Sequence, residues 1–473
     1  MRPASASLTD GSIVRALMRL SIPIVLSNLL QTAYQITDSF WVGRLSAEAV
    51  AAVSLSFPIS FLLIAIGGGL PVAGTVLIAQ YKGRGDAKAM NHVAAQTLLM
   101  VVAVSLLLTA AGYALSAPIV EFMGAEPAVI PLAARYLEIT FLGFLFVFGF
   151  FVFESLMRGL GEATMPMLIV LLTVLLNFAL DPLFIFGWGP VPAMGASGAA
   201  MATLCTQAIA TVIGFALLLQ GKYGIHLRWA DFRPDPAFLK RAFFIGLPSS
   251  IEQSTRALGF TVMTMLVASF GTVVLAAYGI GIRILTLAII PALGFSIAAS
   301  ALVGQNIGAG KVDRASETNR VACVMAFAAL TALGLLLFLL AEPLALFFMP
   351  EGGEAIGQSV DFTRITALSF GLIGVQMVLS GTLRGAGDTT AAMVITLVTQ
   401  WLIQLPLAYA LSFTLDWGTA GIWWSFTISN LLGAAITWIW FLRSDWKKRT
   451  LLGDEALQAT VADEARIDEG VSA

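Results

Sequence analysis

Cysteine and histidine are nearly missing from this chain, with two of each among 473 residues. Cys205 and Cys323 both fall inside apolar runs, so no disulfide framework is available. His92 and His226 sit at span ends or in loops, and no metal-binding or nucleophile-and-base constellation accompanies them. Charge is also scarce. Asp, Glu, Lys and Arg make up 11% of the residues, less than half of the roughly 25% found in soluble domains, which excludes an ordinary soluble globule. The alternating segments of about ten residues that a membrane barrel needs are absent. Gly83, Gly85, Gly308 and Gly310 lie in two Q-x-x-G-x-G stretches. Neither stretch continues into GK[ST], so they read as tight turns and not as phosphate loops. No enzymatic activity, cofactor, ATP use or nucleic-acid partner is expected.

What the chain has instead is apolar sequence. Hydrophobic residues reach 58%, in runs of about 20 residues that each suffice to cross ~30 Å of hydrocarbon. Twelve spans are predicted, at roughly 14–39, 47–80, 92–115, 129–157, 165–187, 196–219, 239–269, 273–304, 317–341, 358–383, 391–414 and 419–442. The expected fold is therefore an all-α polytopic membrane protein, with the lipid bilayer as its solvent. With these spans, 21 of the 26 Lys and Arg residues fall on the side of the N-terminus. Arg44, Arg135 and Arg364 fall on the other, so both termini are expected to be cytoplasmic. No cleavage signature follows the first apolar segment, which reads as a retained helix. Residues 446–473 are acidic and poor in apolar residues, and are expected to be a disordered cytoplasmic tail.

An internal repeat appears at a shift of about 225. Pro23 aligns with Pro248, Ala51-Ala52 with Ala276-Ala277, QYKGRG at 80–85 with QNIGAG at 305–310, and RGLGEAT at 158–164 with RGAGDTT at 384–390. Each half holds six spans, so both enter the membrane in the same sense. The expectation is two parallel six-helix lobes, 1–219 and 239–445, around a central cleft and joined by a polar linker over 220–238. Two such lobes suit alternating access, hence transport.

The repeat also exposes an asymmetry. Asp38 and Asp181 stand in apolar spans of the first half, whereas the matching positions of the second half hold Met263 and Leu405. A carboxylate at membrane depth costs at least ~2.5–3.5 kcal/mol and is a functional candidate by default. Asn177 lies one turn before Asp181 on the same helix face, and Tyr34 one turn before Asp38. Depth allows Tyr34, Asp38, Asn177, Asp181 and Thr203 to converge. Burial and mutual repulsion raise a carboxyl pKa, which suits proton binding; the same oxygens also suit an alkali cation such as sodium. The competing reading makes these groups hydrogen-bonded polar glue. Pro23 is either a hinge or a static kink. Glu252 and Arg256, four apart and opposite in sign, are either a structural ion pair or substrate contacts. Arg283 is expected to face the cleft or to be paired, and Glu154 with Arg158 to form a capping pair.

The Q-x-x-G-x-G and R-G-x-G-[DE] turns, Pro23 followed by Asp38, and the stretch N-F-A-L-D-P at 177–182 together resemble the multidrug and toxic compound extrusion (MATE) family over about residues 10–445. Confinement of the acids to the first half is similar to the prokaryotic branch that includes DNA-damage-inducible protein F. The resemblance implies a cation site at Asp38, Asn177, Asp181 and Thr203, and a hinge at Pro23. It also implies a monomeric exporter of the bacterial inner membrane, moving amphipathic, often cationic or aromatic drugs or metabolites by proton or sodium antiport. The alternative within the same superfamily shape is a flippase of lipid-linked oligosaccharide.

Overall fold

The computed structural model describes residues 8–349, 353–447 and 451. Twelve long helices follow one another: α1 (Ile13–Val42), α2 (Ala47–Arg84), α3 (Ala87–Phe122), α4 (Ile130–Gly159), α5 (Thr164–Phe186), α6 (Ala196–Leu219), α7 (Pro236–Ala268), α8 (Thr272–Gly308), α9 (Val312–Leu339), α10 (Glu354–Ala367 with Phe370–Gly385), α11 (Thr389–Thr414) and α12 (Thr419–Arg443). Ten of them, together with α10, are long and apolar enough to cross a membrane. The remaining helix, α7, is long enough at 33 residues but carries Glu252, Arg256 and several Ser and Thr. The polytopic twelve-helix reading therefore holds, with helix ends extending a few residues past the apolar runs. Of the tail expected from residue 446 onward, all but Trp446, Lys447 and Leu451 lies outside the described residues.

The chain forms two compact units, one of Leu26–Ser250 and one of Ala6–Val25 with Ile251–Leu451. Both unit boundaries fall within helices, two residues after Pro23 in α1 and two after Pro248 in α7. Within the first unit, α4 is the most buried span, at 67%, and it packs against α2, α3 and α6. Within the second, its repeat mate α10 packs against α8, α9 and α12. The two repeats thus produce the same internal packing.

The R-G-x-G-[DE] motif explains itself locally. Arg158 donates to Glu154 at 3.0 Å. A Cβ at Gly159 would press against the Thr75 carbonyl, and one at Gly385 would collide with the Ser300 carbonyl; the glycines thus let α4 approach α2 and α10 approach α8. The acids serve the helices that follow. Glu162 accepts from the Thr164 amide at 2.8 Å, and Asp388 caps α11 by accepting from Ala391 at 3.2 Å. In the Q-x-x-G-x-G stretches, Gly85 and Gly310 adopt φ of 80° and 72° and end their helices in the left-handed conformation that glycine tolerates best. The turn reading holds for Gly85 and Gly310, whereas Gly83 and Gly308 belong to the last turns of the helices themselves.

The segments that precede α1 and α7 are both tied down by polar contacts. Before α7, Gln96 of α3 donates to the carbonyls of Asp231 and Arg233 at 2.9 and 2.6 Å. Its Oε1 accepts from the Asp235 amide at 3.1 Å. Before α1, Lys311 forms a 2.7 Å ion pair with Asp10. Asp10 and Asp235 are themselves related by the repeat.

Candidate functional site

The first unit brings the predicted polar residues together. Asp38 on α1 faces Asp181, Asn177 and Thr203 closely enough to interact with each. Asn177 and Asp181, one turn apart on α5, are fully buried, and the Asn177 amide donates to Asp181 Oδ1 at 3.0 Å. On α6, the Thr206 hydroxyl donates to the Thr203 carbonyl at 2.9 Å. A hydroxyl has one proton, so in the 2.8 Å contact between Tyr34 and Thr206 the tyrosine is the donor. Tyr34 also interacts with Thr203.

This wiring leaves oxygens without donors. Asp38 Oδ1, Asn177 Oδ1 and Asp181 Oδ2 are buried and lack a hydrogen-bond partner among the described residues. A buried acceptor without a donor costs about 1–3 kcal/mol, and here three such hard oxygens belong to side chains of one cluster. Two events relieve that cost: a proton shared between the carboxylates, or a cation bound to the oxygens. The cluster is therefore suited to taking up and giving up a positive charge.

Sequence reasoning missed two neighbours. Thr206 is fully buried and holds the tyrosine, while Tyr136 on α4 lies within electrostatic reach of both acids. Thr206 falls one turn beyond Thr203 on the same face, a spacing that marks it in retrospect; Tyr136 carries no local signal. Trp41, one turn past Asp38, packs against Phe178 and Phe186 of α5 at centroid distances of 5.9 and 6.2 Å. Its aromatic surface covers the end of α1 beside the acids.

The second unit has no acid pair at the repeated positions, but it has a different polar centre. Arg256 donates to Glu252 at 3.0 Å and to Thr396 of α11 at 3.2 Å. The expected pair is present but is not isolated. Arg384, placed by sequence in a turn, ends α10 and donates to both Glu252 oxygens at 2.9 Å, and to Ser296 of α8 at 3.0 Å. Arg283 stands apart from this group, its guanidinium 5.7 Å from the Phe348 ring. Cys205 and Cys323 are free.

The MatE family model matches twice, at residues 23–183 and 248–410, and its two starts are the aligned prolines Pro23 and Pro248. The chain is 28% identical to a probable multidrug resistance protein YpnP of Bacillus subtilis, over 94% of this chain and 99% of that one. It is 30% identical to a probable multidrug resistance protein NorM of Rhizobium meliloti, over 90% and 92%. Among solved structures it resembles a multidrug resistance MATE family transporter of the MOP superfamily in an outward-facing conformation. That match has a TM-score of 0.88 and 26% identity, and it covers 95% of this chain and all of that one. With the repeat, the twelve helices and the acid cluster, these matches make the chain a member of the multidrug and toxic compound extrusion (MATE) family of membrane transporters.

Proposed function

We propose that the protein is a cation-coupled multidrug exporter, in which Asp38 and Asp181 bind the cation whose downhill entry drives efflux. The observation that carries this reading is the cluster of three donor-free oxygens at Asp38, Asn177 and Asp181. Ionised, the cluster binds a proton or sodium ion; loaded, it carries one negative charge in place of two, which lowers the repulsion that opposes repacking. The relatives named as multidrug resistance proteins support amphipathic small molecules as the exported substrates. The charge distribution supports cytoplasmic termini, the bacterial relatives support an inner-membrane location, and the internal repeat supports alternating access within a single chain.

Pro23 is the hinge in this proposal. Proline removes one rung of the α1 hydrogen-bond ladder, and it stands where the chain passes from one compact unit to the other. A change of charge at Asp38, four turns further along the same helix, then changes how α1 packs. Drug efflux from proteoliposomes under separately imposed proton and sodium gradients tests the coupling. Efflux that follows neither gradient overturns it.

A further inference from the structure

The charge at the Glu252 centre does not balance. Arg384 alone engages both carboxylate oxygens, so one guanidinium already neutralises Glu252. Arg256 adds a second positive charge to the same acid. Arg158, the repeat mate of Arg384, shows a balanced case: it has Glu154 of its own helix, one guanidinium for one carboxylate. Neither Arg256 nor Arg384 has another carboxylate partner among the described residues.

The surplus guanidinium is also the accessible one. The side chain of Glu252 is 4% exposed and that of Arg384 16%, whereas Arg256 is 39% exposed. Only its Nη2 is engaged, by Glu252 and Thr396; Nε and Nη1 have no acceptor among the described residues. Open guanidinium surface turned to lipid at this depth is costly, and intramembrane arginines therefore mark water-filled substrate paths. The neighbouring stretch of α11, Val398–Gln404, is a π-helical turn, a distortion frequent at functional sites. It places Gln400 and Trp401 on the carbonyls of Arg256 and Thr255 at 3.4 and 3.3 Å, fixing the backbone from which Arg256 projects.

We infer that Arg256 is a substrate-recognition residue that binds an anionic group, in the first instance a carboxylate, on the transported molecule. This rests on the transport reading and narrows it: the substrates include amphiphiles carrying a carboxylate, zwitterions among them. The open Nε and Nη1 groups can each give a carboxylate one charge-assisted hydrogen bond, and the neutralised Glu252 keeps the arginine in place without consuming its charge.

A matched dye pair tests the assignment on the full-length protein in non-ionic detergent: rhodamine 110, with a free carboxylate, and rhodamine 123, its methyl ester. Fluorescence polarisation gives the two dissociation constants without any ion gradient. Replacing Arg256→Gln is expected to raise the acid-to-ester ratio of dissociation constants about tenfold, the range of a lost charge-assisted hydrogen bond. Arg256→Lys keeps the charge and the Glu252 partner but loses the open Nε and Nη1 donors, and is expected to shift the ratio by about threefold. It serves if the glutamine variant does not fold. An unchanged ratio in the folded variant overturns the inference, as does a parent that binds neither dye. Failure here leaves cation coupling standing, because no gradient enters the measurement; loss of gradient-driven efflux in vesicles removes coupling whatever the dye ratio.

Discussion

Asn177 donates its amide to Asp181 Oδ1 across a single turn of α5, at 3.0 Å, and by doing so orients the remaining Asp181 oxygen and its own carbonyl oxygen with no donor on either. The amide is a positioning group: it takes one carboxylate oxygen out of play and aims the others. Asn177→Leu is expected to leave the helices folded and to weaken the apparent affinity for the coupling cation about tenfold, the scale of one hydrogen bond to a charged group. The dependence of initial efflux rate on external sodium and on pH reads that affinity.

Tyr34 acts one step further out, by donating to Thr206 at 2.8 Å. A neutral hydrogen bond contributes about 0.5–1.5 kcal/mol. Tyr34→Phe should therefore be no more severe than Asn177→Leu, a loss of about two- to tenfold in the same assay. A loss as complete as that of an acid substitution would show Tyr34 to be a ligand and not a support.

Glu252 holds two guanidiniums in a buried setting. Removing one side of a buried ion pair costs about 3–5 kcal/mol, so Glu252→Gln should lower the melting temperature in detergent well beyond Arg256→Gln. Combining Glu252→Gln with Arg256→Gln should recover part of the loss, because one of the stranded charges is then gone. An additive double variant contradicts the shared centre.

Gly385 tests packing without touching any charge. A methyl group there meets the Ser300 carbonyl of α8, and overpacking of this kind costs about 1–3 kcal/mol. Gly357→Ala, which meets nothing within 4 Å, is the control and should melt like the parent.

The fold was legible because membrane spans announce themselves by apolar length, and the repeat supplied their grouping. The span boundaries were less so: α3 runs over Ala87–Phe122, where the apolar run suggested 92–115, because polar helix ends continue the backbone hydrogen bonding beyond the hydrocarbon. The 52° bend of α10 between Ala367 and Phe370 carries no proline or glycine at the break itself, whereas Pro406, between the two π-helical turns of α11, was a signal left unread. The acid cluster was readable from Asp38 and Asp181, since buried charge is rare and spacing put Asn177 beside Asp181. Arg384 was not readable as the partner of Glu252. Their contact joins residues 132 apart in sequence, and the arginine sits inside a turn motif whose other members are structural.

Pro23 and Pro248 occupy equivalent helices, but only α1 carries an acid of the proposed cation site; the acid of α7, Glu252, is held by two arginines. If Pro23 is the hinge, Pro23→Ala should slow turnover about tenfold while leaving drug affinity within about twofold, and Pro248→Ala should do much less. This asymmetry is read by comparing efflux rates with equilibrium binding in both variants. Equal effects from the two prolines would make both of them static kinks.

The central claim is that Asp38 and Asp181 convert a cation gradient into drug export. It is tested most directly by efflux from proteoliposomes containing the parent, Asp38→Asn or Asp181→Asn, with the driving gradient imposed and drug binding measured in parallel. The account predicts that both variants still bind drug and that neither accumulates or expels it in response to the gradient. Gradient-driven efflux at the parental rate in either variant would contradict it.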